Sequence, residues 1–540
     1  MKLWQSGGTM TRPTKLAAAA TAILLFFSNA NQLAWSAEVM TAAEPVAKSG
    51  PNRWVTPVNQ LLTPAGKTIE LPGFRPQALA LSPNGKLLVT TGKKSELVVL
   101  DPASGEIKQR VALPSDLTTE TTEVVSANIL MPDKEGQLSF TGLIFSPDGK
   151  RLYLANVNGS IKVFGVAKDG KVSGLFSIPL PPANAPRRTS EIPAGLALSG
   201  DGKRLYVCGN LTNQLFEIDV ATGKVLRTRA VGVAPYDVVL VKDKAYVSNW
   251  GGRRPIDNDL TGPAGRGTVV RVDRVRHIAS EGSVSVIDLK TEHATRSLEI
   301  LTGLHASALA VSPDQCHVVV ANAGSDTLLV IDTRTEKIVE TIWARQRPDD
   351  LFGAQPNALA FDKSGKKLYV FNGSQNAVAV IAFKPGKSEW RGLIPVGWFP
   401  GAIAFDAKRS QLCVANIKGL PTQTMKAKSA PLITPGLMSG RVTRRRPRRS
   451  PARPRPAHDA REARHAARGR PQRAASRPAP SPGAAGGARP ARSARSPPRG
   501  TRHQPSRPAC DRHLDRQRPR ESSRARRPSS SPSEIGRAHV

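Results

Sequence analysis

The chain has 540 residues, with 78 Lys and Arg against 42 Asp and Glu and a formal net charge of +36. So basic a balance points first to a polyanion partner, but +22 of it lies in residues 441–540, where 28 Arg face 6 acidic residues and Lys is absent. The four cysteines include no Cys-x-x-Cys pair, which argues against a cysteine-built metal site.

The N-terminus reads as an export signal. Lys2, Arg12 and Lys15 precede the apolar run Leu16–Phe27, and small residues at Ala30 and Ala37 offer cleavage points. About twelve apolar residues are too few to span a bilayer as a helix. Residues 1–37 are therefore expected to be a signal peptide and 38–52 a linker, with a periplasmic or secreted product that has no membrane contact after cleavage.

Repetition begins at Asn59. The stretch NQLLTPAGKTIELPG (Asn59–Gly73) matches the outer half of a later unit, NQLFEIDVATGKVLRTRAVG from Asn213, and has no inner half of its own. Whole units follow from Arg75, Thr141, Ile192, Val233, His305 and Gln355. A seventh opens at Pro400 and stops near Asn416. Each unit spans roughly 40 residues before insertions and carries four short apolar, β-branched segments, the spacing of propeller blades. A turn of the Ser-Pro-Asp-Gly-Lys type joins the first two segments. Its Gly supplies positive φ and its Pro presets the first turn position.

The two incomplete ends complement one another. The sequence predicts an all-β, seven-bladed β-propeller with four-stranded blades over 53–423, closed by an N-terminal outer strand on the last blade, which also removes exposed edges. Eight blades remain open if the long insertion in unit four hides strands, although that insertion reads as irregular.

The strand-end motifs carry a resemblance. Leu205-Tyr206-Val207 with Asn210, Ala245-Tyr246-Val247-Ser248-Asn249, Val318-Val319-Val320-Ala321-Asn322, Leu368-Tyr369-Val370-Phe371-Asn372 and Leu412-Cys413-Val414-Ala415-Asn416 resemble the YVTN, or YncE-like, propellers. Gly397-Trp398-Phe399-Pro400-Gly401 with Val414–Leu420 is similar to the last blade of bacterial two-part proteins in which such a propeller precedes a phosphoesterase domain of the alkaline-phosphatase superfamily. The resemblance implies an accessory module, with the phosphoesterase domain as its intramolecular partner. A divalent metal is expected only in that domain, and no cofactor in this chain.

The sequence changes character after a second linker, 424–440. From Arg441 there is no Lys, Asn, Phe, Tyr, Trp or Met, while Arg, Pro, Ala, Ser and Gly dominate. Such a tail cannot bury enough apolar surface to offset its ordering entropy, so 441–540 is expected to be disordered. Three readings compete: a basic arm for nucleic acid, a linker, and a GC-rich gene translated out of frame. The complete exclusion of Lys and of stacking aromatics disfavours the arm. One synonymous coding of Arg441–Pro447, read one base later, gives Val-Ser-Leu-Val-Ala-Val-Pro, a strand like Gly282–Asp288. One coding of Ile535–Val540 resembles a sequencing-library adapter. Out-of-frame translation is the preferred expectation, and nucleic acid is not an expected partner.

Within the propeller, the unit-four insertion Gly251–Glu281 holds Arg253, Arg254, Arg266, Arg271, Arg274 and Arg276 against Asp257, Asp259 and Asp273. Long loops on a repeat scaffold often carry binding, so an anionic ligand or acidic partner surface is one reading, and a solvated loop or docking strip the other. The candidate ligand-binding residues are Asn249, Trp250, Arg253, Arg254, Arg266 and Lys418; Asn249, Trp250 and Lys418 enter by analogy with the family's channel mouth. The strand-end asparagines also read as turn formers bonded to backbone. The propeller histidines His277, His293, His305 and His317 lack metal-ligand spacing, and Asp257-Asn258-Asp259 is a poor calcium loop. No catalytic or metal-binding residues are proposed from the sequence. The preferred function is a non-enzymatic binding or scaffold propeller, with a lactonase-type propeller hydrolase and a nucleic-acid-binding propeller as alternatives.

Overall fold

The computed structural model describes residues 46–122, 132–265, 268–291, 297–421 and, as backbone alone, 439–445. The expected signal peptide (residues 1–37), the tail beyond 445 and Arg266 lie outside the described residues. The described residues fall within one compact unit, and there is no helix among them.

Seven four-stranded antiparallel sheets follow one another as blades. Their innermost strands are Pro76–Leu81, Leu138–Phe145, Pro193–Leu198, Pro235–Val241, Ala306–Val311, Pro356–Phe361 and Trp398–Asp406. Each packs beside the next, and the last packs beside the first, which closes a ring. The seventh sheet is completed from both chain ends. Trp398–Asp406 and Gln411–Leu420 pair with the backbone of Ser439–Arg445, whose outer neighbour is Lys67–Leu71.

The expected N-terminal closing strand is therefore present, within residues 59–73. Three details differ from the expectation. The seventh unit does not lack a third strand, and that strand crosses residues 440 and 441, where the sequence reading placed a border between linker and tail. Ala47–Gly50, assigned to a linker, pairs with Arg53–Val55, which pairs in turn with Leu61–Leu62. The unit-four insertion is not wholly irregular either: Thr261–Ala264 and Thr268–Arg271 form a separate two-stranded hairpin.

Burial explains why strands of such different composition share a blade. Second strands such as Arg204–Gly209 are buried after their first residue, because neighbouring blades cover both faces. Outer strands such as Glu389–Pro395 alternate between exposed and half-buried residues. The apolar clusters lie between blades: Val89 and Leu143 join blades one and two, and Val370 and Val330 join five and six. Leu71, Phe74, Leu88 and Cys413 seal seven against one.

The first-to-second-strand turns interlock as well. The Ser146 hydroxyl bonds Asp148 Oδ1 at 2.6 Å and accepts from the Arg151 amide at 2.9 Å, and Gly149 takes φ 71°. A Cβ on Gly149 would sit 3.5 Å from Pro83 of blade one, and one on Gly202 would sit 3.6 Å from Pro147 of blade two. The turn glycine of each of these blades thus packs on the turn proline of the blade before it.

Candidate functional site

Antiparallel pairing puts the start of each first strand, the end of each second strand and the start of each third strand on one face, where the central channel opens. Every first strand carries a register shift there, for example between Pro235 and Asp237 and between Pro356 and Ala358. Such bulges re-aim side chains. The residue before the strand is left-handed at Ala234, His305 and Gln355 (φ 52–55°). Side chains of one blade then bond carbonyls of the next: Asn210 Nδ2 donates to Pro235 O at 3.1 Å, Ser307 Oγ to Pro356 O at 3.3 Å, and Asn357 Nδ2 to Pro400 O at 3.1 Å.

At this mouth the structure gathers an aromatic wall. Trp250 stacks on Tyr236, with centroids 5.5 Å apart and planes 10° apart, and lies 5.1 Å from the His305 ring. Phe140 meets Tyr236 edge-on at 5.5 Å. Blades two, four and five thus contribute to one run of rings. Beside it stands the carboxylate of Asp237, which accepts the amides of Val238 and, from the neighbouring blade, Leu309, both at 2.9 Å. Desolvation pushes its pKa up to about 6. Burial raises the Tyr236 hydroxyl, with the Asp237 charge adding to it, and lowers the His305 imidazole.

The residues singled out in the sequence have different fates. Trp250 belongs to the wall. Asn249 is fully buried, and its amide donates to Ser283 Oγ at 3.0 Å and Ser285 Oγ at 2.8 Å. Asn156 and Asn322 likewise donate to Ser160 and Thr327 hydroxyls. These asparagines tie the second strand to side chains of the third, and the series also bonds backbone outside its own turn: Asn156 Oδ1 accepts the Gln137 amide at 3.2 Å and Asn372 Nδ2 donates to Ala344 O at 2.8 Å. Asn210 falls one residue later than this series and reaches the next blade instead.

The Arg253 guanidinium is held by Glu281, through Nε at 3.0 Å and Nη2 at 2.8 Å, which raises its pKa. Arg254 donates to the carbonyls of Val231, at 2.7 Å, and Asn213, and burial lowers its pKa. Arg271 pairs with Asp259 at 2.7 Å. Much of the insertion's positive charge is thus neutralised within it. Lys418 stands apart on blade seven, its Nζ 5.0 Å from the Trp398 ring centre and 4.9 Å from that of Phe399.

Sequence reading missed Phe140, Tyr236, Asp237 and His305 as one group. The available signal was positional. Asp237 pairs with Ser248 where the equivalent pairs elsewhere are Ala78 with Thr91, Ala358 with Phe371 and Ala402 with Ala415. Among the described residues no three His, Cys, Asp or Glu side chains gather closely enough to hold a metal ion.

No family model matches the chain, and no curated protein matches it. Among solved structures, the hydrazine synthase of Kuenenia stuttgartiensis is similar over 64% of this chain and 93% of that one, at 16% identity and a TM-score of 0.46. U3-55K is similar over 70% of this chain and 99% of its own, at 13% identity and a TM-score of 0.49. The WD40 repeats of RRP9 are similar over 71% and 98%, at 13% identity and a TM-score of 0.48. None of these likenesses bears on a site residue. The β-propeller architecture stands on the sheet pairing and ring closure themselves.

Proposed function

We propose that this chain is a binding propeller rather than an enzyme, and that its mouth-side face docks a protein partner. The observation that carries this reading is an asymmetry. Among the described residues, every large apolar side chain that stays exposed lies on a mouth-side segment or on an outer strand, including Leu351 at 92%, Val275 at 86% and Leu117 at 80%. The turns of the opposite face expose none. Of the two faces on which strand-connecting segments lie, the mouth side alone exposes such groups among the described residues, and exposed apolar groups gathered on a face mark an interaction surface.

In the finer reading that the YncE-like resemblance supports, the partner is a metal-dependent phosphoesterase domain, for which this propeller is the accessory module. The basic-then-apolar N-terminus supports export of the chain. The composition after Arg441 supports translation out of frame, and conceptual translation of the source DNA in the other frames tests that. A lactonase-type or nucleic-acid-binding propeller has no specific observation in its favour. A hydrolase needs converging acid, base and metal ligands, and three of the insertion's six arginines, Arg253, Arg271 and Arg276, are paired within it.

Mixing the purified chain with the isolated phosphoesterase domain of a two-part relative tests the docking. A complex is expected by size-exclusion chromatography. A Leu351→Asp, Phe352→Asp double variant should weaken it at least about tenfold, while Leu393→Asp on the outer rim should leave it unchanged. Equal binding by the double variant and the parent would refute the mouth-side assignment. Fractionation of expressing cells, with N-terminal sequencing expected to begin at Asn31 or Glu38, tests export.

A further inference from the structure

We propose that the mouth of the channel binds a small protonated amine with an apolar body, its ammonium group held by Asp237 and its body against Tyr236, Trp250 and His305. The proposal rests on the reading of the mouth-side face as a binding surface and names a ligand class for its centre.

The starting point is an unbalanced charge. The positions equivalent to Asp237 in blades one, six and seven are alanines, so nothing in the fold calls for a carboxylate here. Among the described residues no Lys or Arg pairs with it. Its two bonds, from the Val238 and Leu309 amides, occupy two of the roughly four lone-pair sites of a carboxylate. A desolvated anion without a counter-charge is costly, and the raised pKa of about 6 expresses that cost. The missing positive charge arrives either as a proton or as a cation. A cation bound there would balance the charge, and would do so best above the pKa, where the carboxylate is ionised.

The surroundings select the kind of cation. A bare metal ion finds no cluster of three ligating side chains among the described residues. An organic ammonium finds an apolar wall beside the charge. The Tyr236 and Trp250 rings have centroids 5.5 Å apart with nearly parallel planes, so they are offset and only partly cover one another. Trp250 remains 38% exposed. Such partly open faces attract both hydrocarbon and ammonium. Tyr236 lies close enough to Asp237 for the carboxylate to perturb its hydroxyl.

The titratable groups facing Asp237 are few. Tyr236 on its own strand and Cys208 on blade three are both pushed above their ordinary values and stay neutral near pH 7. His305, in the wall, is pushed below its ordinary value by burial. Acidification protonates Asp237 and charges His305, and both changes oppose an ammonium ligand.

The test uses the full chain and two isosteric probes, phenethylammonium and the neutral phenethyl alcohol, followed by calorimetry and by the fluorescence of Trp250. At about pH 8 the amine should bind saturably and at least about tenfold more tightly than the alcohol. Its affinity should fall at least about tenfold at pH 5. Asp237→Asn should abolish both the preference for the amine and the pH dependence. Trp250→Ala should weaken both probes and keep the preference, which separates loss of the wall from loss of the charge. Equal binding of amine and alcohol by the parent protein, or no binding of either at millimolar concentration, overturns the proposal whether or not the variants fold. Neither result touches the docking reading, because Leu351 and Phe352 take no part here.

Discussion

Gln315 occupies a position that most of its counterparts give to glycine. In blades one, two, three and six the fourth turn residue is Gly85, Gly149, Gly202 or Gly365, at φ 67–71°, whereas Gln315 holds φ 58°. A side chain in that region costs about 1–2 kcal/mol, against about 0.5–1 kcal/mol of unfolded-state entropy that glycine would add. Gln315→Gly should therefore raise stability by up to about 1 kcal/mol in denaturant titration. Lys162 poses the opposite case. It is fully buried and bonds Asp116 Oδ1 and Asp133 Oδ2 at 2.8 Å each and Pro114 O at 2.7 Å. Lys162→Met would leave Asp133, itself largely buried, without its counter-charge, and should cost about 3–5 kcal/mol in the same experiment. The turn could be read from the sequence because its chemistry is local: a serine hydroxyl, an aspartate and a glycine within five residues. The role of Lys162 could not, because Asp116 and Asp133 come from an irregular segment that no repeat places.

Among the elements, Lys67–Leu71 has the largest consequence. It covers the outer edge of the seventh blade, and Leu71 is fully buried between blades seven and one with Phe74, Leu88 and Cys413. Leu71→Ala should cost about 2–5 kcal/mol, readable as a shift of the unfolding midpoint. The strand could be recognised from sequence as a half-repeat, since Asn59–Gly73 copies the outer half of a unit that has both halves. The hairpin Thr261–Ala264 with Thr268–Arg271 escaped because its residues match no repeat and alternate poorly. The aromatic wall escaped for a different reason. Phe140, Tyr236 and His305 belong to three units, and only closure of the ring brings them together.

The propeller as a whole is a one-sided object. Its far face is made of short polar turns, three of them packed glycine on proline (Gly149 on Pro83, Gly202 on Pro147, Gly365 on Pro313), and its mouth-side face carries the long segments, the aromatic wall and the unbalanced carboxylate. Short, similar turns on one side and long, dissimilar segments on the other suit a scaffold that presents a surface. Ring closure also has a consequence in time. The strand Lys67–Leu71 is among the first parts of the ring to be synthesised, yet its neighbours in the seventh blade are among the last. At about 5–20 residues per second a ribosome takes roughly 20–70 seconds to pass from Leu71 to Gln411. Throughout that interval an edge able to pair with any passing strand stands uncovered. The same join that closes the finished ring leaves Lys67–Leu71 without its partner strand until the last blade has been made.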